Sequence, residues 1–552
     1  MLACRQIPGC SWDGKRKAWS YPGTASIARI IRAKIRPLLA SEQFDAAFPA
    51  GAPPIKAEPP APAVAAAIET EPAPVAETEI AQPPGILTRP WRHQLAAYQF
   101  CLRLFAAGLH GILLAMGMGT GKSLVAWMLV LGLAARRVLI ACPLRVAPVW
   151  ITQFQCHVGV PVVIVALDQD AGSVAEKREL AEQKMRLADA RAVPFVAVIN
   201  YDSAWRDPFA AWAEKQTWDL VIADEAHRIK APGGKASLFF KRLRLRARHR
   251  IALTGTPMPH GPMDIYAVFR FLDITIFGPS FAAFRQNYAV MGGFQRKQIT
   301  GFQNLDALER LMSRVTYRVD KAVLDLPAET DVTYYCDLGS EARRIYKDIE
   351  EDFVAQVRDG LVTVANAMVK VTRLHQVANG IAKTDDGINH RIDTAKQKLL
   401  ADTFEDIAAG DPVVVFCWFH LDLDAVHESC QALRAGLSDE DKAKGRYQTL
   451  ELSGRRDELK QWQEGAAQVL AVQIQAGGEG VDFTRARYSI FYSVGYSLGR
   501  YMQARSRTHR PGQVNPVEHI HLIARNTVDV KIMAALERRA EVIESILAEI
   551  TS

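Results

Sequence analysis

The stretch Gly111–Ser123, GILLAMGMGTGKS, decides the architecture. It reads as an apolar strand, Gly111–Ala115, running into a glycine-rich turn and then into an apolar helix, Leu124–Ala135. Glycines at 117, 119 and 121 let the backbone curl so that its N–H groups point inward at a chain of phosphates. Lys122 can then reach the β- and γ-phosphates of a nucleotide, Ser123 can hold Mg²⁺, and the helix N-terminus adds its positive end. The expected triphosphate loop is Met116, Gly117, Met118, Gly119, Thr120, Gly121, Lys122 and Ser123. Met116 stands where the strict pattern has glycine. A plain strand-to-helix turn ending in lysine fits the same letters, so the motifs downstream have to decide.

Around this loop, short continuous apolar runs alternate with helix-length segments. Gly111–Leu114, Val138–Cys142, Val162–Ala166, Phe195–Ile199, Leu220–Ala223 and Ile251–Leu253 are patterned as buried parallel strands. That pattern predicts a doubly wound α/β domain over 86–270, with ligands at the carboxyl ends of its strands. One such end is Asp224-Glu225-Ala226-His227. Asp224 is placed to hold Mg²⁺, and Glu225 to take the proton from an attacking water. A charge pair at a helix N-terminus is the other reading of two adjacent acids. Thr254-Gly255-Thr256-Pro257 ends another strand, where hydroxyls can bond the carboxylates and report the γ-phosphate.

Residues 271–400 read as a helical bridging region with aromatic stretches, Ile265–Leu272 leading into it and Phe281–Tyr288 within it. Strand–helix alternation resumes over 401–552, at Val413–Phe416, Gln448–Leu452, Val469–Ile474, Ser489–Tyr492 and near His519–Ile523. This second lobe has no phosphate loop of its own. It carries Ala476-Gly477-Gly478-Glu479-Gly480-Val481-Asp482 after a strand, then Gln503-Ala504-Arg505-Ser506-Arg507-Thr508-His509-Arg510-Pro511-Gly512-Gln513. Arg507 and Arg510 share one helix face. Aimed across a cleft at a γ-phosphate they would act as arginine fingers, worth ~10³-fold or more in rate; a basic surface helix is the alternative.

Upstream, residues 1–44 form a small basic module with eight Lys and Arg against Asp13 and Glu42. Trp12 and Trp19 flank a turn at Asp13-Gly14-Lys15, which predicts a hairpin, and a helix Ala25–Leu39 follows with Arg29, Arg32 and Arg36 on one face. Aromatics among cations can stack on bases and touch phosphates, or the two tryptophans can form a tiny core under a solvated face. Residues 45–85 are rich in Pro, Ala and Glu and read as a disordered, semi-extended linker.

The whole chain has 552 residues, 49% apolar and 23% charged, with a net charge of +7. These bounds fit a soluble protein of about three to four domains and permit a polyanionic partner. Eight scattered cysteines without a CxxC pair indicate a reducing compartment and no metal site built on thiolates. Leu124–Ala135 falls short of the ~20 residues that cross a bilayer, so no membrane association is expected. Leu2-Ala3-Cys4 lacks the charged and apolar regions that precede a lipoprotein cleavage box.

Taken in order, the motifs over ~87–545 resemble those of superfamily-two helicases, and specifically the Swi/Snf-like DNA-dependent ATPases. Leu87-Thr88-Arg89-Pro90-Trp91-Arg92-His93-Gln94 is similar to the family's opening motif, and the resemblance makes Gln94 the adenine reader. Arg228-Ile229-Lys230 after DEAH, Leu272-Asp273, Leu326-Pro327 and the HRxGQ-like His509–Gln513 are similar to the same subgroup. The resemblance implies catalytic roles for Lys122, Glu225, Gln503, Arg507 and Arg510. It also implies nucleotide contacts from Gly480 and Asp482, and coupling through His227, Thr254 and Thr256. Nucleic-acid contacts are implied at Pro143, Leu144, Asn200, Tyr201, Ala476 and Gly477. The N-terminal phrase resembles the HARP-type DNA-recognition module of annealing helicases. Ser506 departs from the family's usual Asp, the Trp-Asn-Pro phrase before the last motif is absent, and the large insertions of eukaryotic remodellers are missing.

The expectation is therefore an α/β protein with two RecA-like parallel-sheet lobes, helical insertions, a small N-terminal module and a disordered linker. ATP and Mg²⁺ lie between Lys122/Ser123 and Arg507/Arg510, and duplex or branched DNA lies across both lobes. The compact form is that of cytoplasmic prokaryotic or phage-encoded members. A strand-separating helicase and an ATP-gated DNA-binding module with little turnover are the alternatives.

Overall fold

In the computed structural model the apolar runs become strands whose successive side chains enter opposite cores, which is why the runs are continuous rather than alternating. The structure describes residues 11–13, 18–20, 81–292, 298–358, 364–383, 388–408, 410–477 and 480–547. In the N-terminal unit, β1 (Ser11–Asp13) and β2 (Ala18–Ser20) pair antiparallel with Trp12 opposite Trp19, as the flanking tryptophans predict. The helix expected over Ala25–Leu39 and nearly all of the linker lie outside the described residues.

The larger unit, from Ile80 onward, holds two parallel sheets. The first contains β3 (Gly111–Met116), β4 (Arg137–Cys142), β5 (Val163–Ala166), β6 (Phe195–Asn200), β7 (Trp218–Asp224) and β8 (Ala247–Thr254). An antiparallel pair, β9 (Ala289–Gly292) and β10 (Gln298–Phe302), follows, and then β11 (Thr316–Val319) returns to the sheet. The order is β11-β3-β8-β7-β4-β6-β5. Leu113, Leu139, Ala197 and Val221 face one core, while Ile112, Ile140, Val198 and Ile222 face the other. Strands β3, β8 and β7 are neighbours, with Ala115 opposite Thr254 and Leu253 opposite Asp224. Three motif-bearing strand ends therefore meet at one edge.

The second sheet is built from β12 (Glu329–Cys336), β15 (Val413–Cys417), β16 (Thr449–Leu452), β17 (Val469–Gln473), β18 (Tyr488–Phe491) and β19 (Val517–Ala524). A small antiparallel pair, β13 (Ile381–Lys383) and β14 (Asn389–Arg391), lies between β12 and β15 in the chain. The sheet order is β12-β19-β18-β15-β17-β16.

Residues 271–400, expected as a helical bridge, in fact give a strand to each sheet: β11 pairs β3 and β12 pairs β19. Both are edge strands; β12 is largely exposed, and β11 is short, with Thr316 and Arg318 among its mostly buried residues, so neither carries a continuous apolar run. The chain thus crosses between lobes at 320–328. It crosses again through the C-terminal helix Val528–Leu547. Val528, Ile532 and Leu536 bury in the second lobe, whereas Ile546 and Leu547 bury in a core of the first. Arg318 of β11 anchors that far end, pairing with Glu544 at 2.6 Å and donating to the Leu547 carbonyl. Among the described residues no helix is long and apolar enough to cross a membrane.

Candidate nucleotide site at the lobe interface

The loop after β3 is shaped by two left-handed glycines, Gly119 (φ +84°) and Gly121 (φ +80°). A Cβ on Gly121 would lie 2.0 Å from Gln94 Nε2, so a larger residue would displace that amide. Gln94 is buried; its Nε2 donates to Thr120 O at 3.0 Å and its Oε1 accepts from Trp91 N at 2.8 Å. The opening motif is thereby fastened to the loop it precedes in the chain. Lys122 opens the helix Lys122–Gly132, and its Nζ donates to the carbonyls of Met116 (3.0 Å) and Gly117 (3.2 Å). Burial lowers the Lys122 pKa, with Glu225 and Asp224 countering and Arg507 and Arg510 reinforcing the shift.

Asp224 ends β7. One carboxylate oxygen accepts from Trp150 Nε1 at 3.0 Å and the other from Glu225 N at 3.0 Å, while its carbonyl accepts from Tyr201 Oη at 2.6 Å. Burial, and then the charge of Glu225, raise the Asp224 carboxyl well above the usual carboxylate range. Glu225 sits in the left-handed region at φ +50°, an uncommon conformation for a residue with a side chain. Burial alone would raise its pKa, but the His227 ring, Lys122 and Arg507 outweigh that and hold it low. His227 Nδ1 is 3.3 Å from Glu225 Oε2, off the line of a hydrogen bond, so that buried oxygen keeps a vacant acceptor position.

The opposite wall comes from the second lobe. Arg507 lies on the helix Leu498–Thr508 and Arg510 just beyond it; both line one cavity of about 430 Å³ together with Lys122, Ser123, Asp224 and Glu225. Gln94 and Gly480 line it too, as do Arg89 and Trp91. Arg510 donates to Val481 O at 3.3 Å, and Asp482 stands 3.9 Å from it and caps Thr484. The far side of the loop faces a second space: Met118 meets the Ser506 hydroxyl, and Gly255 and Thr256 close over Met116 and Met118. Thr254 Oγ1 accepts from Thr256 N at 3.0 Å.

Several expected contacts lie elsewhere. Asn200 and Tyr201, expected to meet nucleic acid, are buried. Asn200 caps the short helix after β6 and bonds Asp168, and Tyr201 braces Asp224, so their side chains are committed inside the lobe. Gly477 is buried and Pro143 is covered, whereas Leu144 is exposed and Ala476 half-buried. Gln503 does not line the nucleotide cavity; it borders an adjoining cleft of about 410 Å³ with His227, Arg228, Lys230 and Arg500. Trp150, which orients Asp224, escaped sequence reasoning because it lies seventy-four residues away on another helix.

The chain matches two family models: SNF2-related domain over residues 93–390 and Helicase conserved C-terminal domain over 395–512. It is 24% identical over 356 residues to the Arabidopsis thaliana CHD3-type chromatin-remodeling factor PICKLE, covering 62% of this chain and 24% of that one. It is 23% identical over 482 residues to the Saccharomyces cerevisiae DNA repair and recombination protein RDH54, covering 77% of this chain and 48% of that one. A putative protein p41 of Acyrthosiphon pisum secondary endosymbiont phage 1 is 26% identical over 372 residues, covering 62% and 74%. The chain thus spans less than half the length of the first two relatives. Among solved structures, the Sulfolobus solfataricus SWI2/SNF2 ATPase core in complex with dsDNA is similar over 85% of this chain and 95% of that one, at 20% identity and a TM-score of 0.39.

Proposed function

The chain belongs to the SNF2-related family, with a helicase C-terminal domain behind the first lobe, and from that premise we propose that it hydrolyses ATP to move along duplex DNA. The observation that carries this reading is the shared cavity: a lysine, a serine and two acids from one lobe face two arginines from the other. Neither wall is complete alone. In this reading Lys122 and the loop amides hold the β- and γ-phosphates, and Trp91 and Gln94 flank the base. Glu225, kept ionised with a vacant oxygen, takes the proton from the attacking water. Arg507 and Arg510 stabilise the charge that develops on the transferred phosphoryl group.

The buried Asp224 carboxylate, costly to ionise without a cation, and the Ser123 hydroxyl in the same cavity fit Mg²⁺. These two residues would hold the ion, which would neutralise phosphate charge. His227, Thr254 and Thr256 would couple the nucleotide to lobe movement. For the polyanion, the neighbouring cleft with Arg228, Lys230 and Arg500 supports contact with DNA phosphates, which gives little sequence preference and a steep salt dependence. Scattered cysteines, none of them in a disulfide among the described residues, suit the reducing cytoplasm of a prokaryotic or phage-infected cell.

The test is ATP turnover with duplex, single-stranded and forked DNA and with RNA, beside triplex-displacement and fork-unwinding assays. Duplex-stimulated turnover and triplex displacement without unwinding are expected; turnover indifferent to DNA defeats the proposal. Unwinding without triplex displacement would favour a strand-separating helicase instead. Glu225→Gln should slow hydrolysis about 10²–10⁴-fold while ATP still binds.

A further inference from the structure

His509 is buried where the two lobes meet, immediately before Arg510 and two residues after Arg507. Its side chain does not enter the nucleotide cavity. It reaches instead to the crossing segment 320–328, with Nε2 2.7 Å from the Pro327 carbonyl and Nδ1 bonded to Lys321 Nζ. A carbonyl can only accept, so Nε2 carries a hydrogen and donates it to Pro327. The Lys321 ammonium bridges that ring to Glu329, at 3.5 Å, and the Glu329 carboxylate stands 3.1 Å from His509 Nδ1. Glu329 begins β12, so the cluster ties the arginine-bearing turn to both ends of the crossing segment.

The same segment lies against the phosphate loop. Gly117 N donates to Val319 O at 2.8 Å, and the Lys321 backbone is 2.9 Å from the point where a Gly117 Cβ would stand. On the other side of Arg510, Pro511 approaches Gly119 so closely that a Cβ there would be 2.7 Å from its Cδ. Arg510 is therefore held between two contacts with the first lobe, one through His509 and the crossing segment, one through Pro511 and the loop itself.

We propose that His509 is a positioning residue that joins the interlobe crossing to the arginine turn, so that closure of the lobes delivers Arg510 to the nucleotide. It touches no substrate atom and acts through Arg510. The inference rests on the ATP-hydrolysis reading above and extends it to a residue whose side chain lies outside the cavity. Loss of this tie would leave Arg510 free to sit an ångström or so out of place.

The test compares duplex-stimulated turnover in wild type, His509→Ala, His509→Gln, Arg510→Ala and the double variant His509→Ala/Arg510→Ala. His509→Ala should lower kcat about 10–100-fold, the cost of slight misplacement of a reacting group. KM for ATP should stay within about twofold, as expected for an interaction made in the transition state. His509→Gln keeps an N–H for the Pro327 carbonyl and should recover most of the loss. The double variant should be no slower than Arg510→Ala. Additive losses, a matching rise in KM, or no loss at all would overturn the proposal. Hydrogen exchange gives a second readout: His509→Ala should exchange faster than wild type over 320–328, and equal exchange there refutes the tie. Wild type that never hydrolyses ATP would sink the motor reading, and the exchange comparison would still decide His509.

Discussion

Each lobe places a lysine near the carboxyl edge of its sheet, Lys396 buried and Lys122 half-buried, and the two are treated in opposite ways. Lys396 in the second lobe is sealed: its ammonium lies 2.5 Å from Asp529 and 2.8 Å from the Asn379 carbonyl oxygen. Asp529 also accepts from Ala524 N, and nearby Asp422 bonds Asn379 and Ser493. Among the described residues, Lys122 in the first lobe bonds two backbone carbonyls and otherwise faces a cavity shared with two acids and two arginines. A paired buried charge is architecture; one left with neutral acceptors at the wall of a cleft is a receptor for an anion.

The widest separation should come from cutting each lysine. Lys396→Ala strands Asp529 in the interior and should cost about 3–5 kcal/mol of stability, read from urea unfolding. Lys122→Ala should leave the unfolding midpoint unchanged or raised while turnover falls about 10²–10³-fold. Equal losses of stability in the two variants would break the contrast.

A narrower test uses His375, whose Nε2 is 3.7 Å from Asp529 and whose pKa burial pushes down to about 4. The unfolded chain takes up this proton near 6.5, so His375 removes stability as pH falls from 6.5 toward 4. Asp422, pushed up to about 6 by burial, works the other way between pH 6 and 3.8 and masks much of that loss. His375→Gln should therefore harm stability less at pH 4.5 than at pH 7, the gap closing by about 2–3 kcal/mol. A pH-independent penalty would mean that the second lobe is less tightly sealed than described. The smallest effect belongs to the open site. Trp150→Phe keeps the bulk but frees Asp224, and should lower turnover about tenfold at limiting Mg²⁺ with less effect at high Mg²⁺.

The contrast also separates what the chain discloses from what it hides. The phosphate loop, DEAH and the Thr-Gly-Thr turn were legible because each is contiguous and ends a buried apolar run. The central strands were legible for the same reason, and Val138–Cys142 differs from the observed strand by one residue. Strand β12 was not, because it is largely exposed, and β11 was not, because its four residues, though mostly buried, interleave Thr316 and Arg318 with the apolar letters. The internal bonds of Asn200 and Tyr201 were not legible, because a polar residue at a strand end serves equally as a surface contact or as an internal brace. Lys396 gave no signal either: a buried ion pair spanning 133 residues leaves no local pattern. His509 sat in plain view within a motif, but its partner Pro327 is 182 residues earlier.

The lobes are joined twice, through 320–328 and through the helix that ends at Leu547. A single covalent strand would let two bodies both swing and swivel. Like a door hung on two pins, a pair joined this way would favour one axis of rotation over the rest. In the proposed motor each cycle would then retrace the same arc.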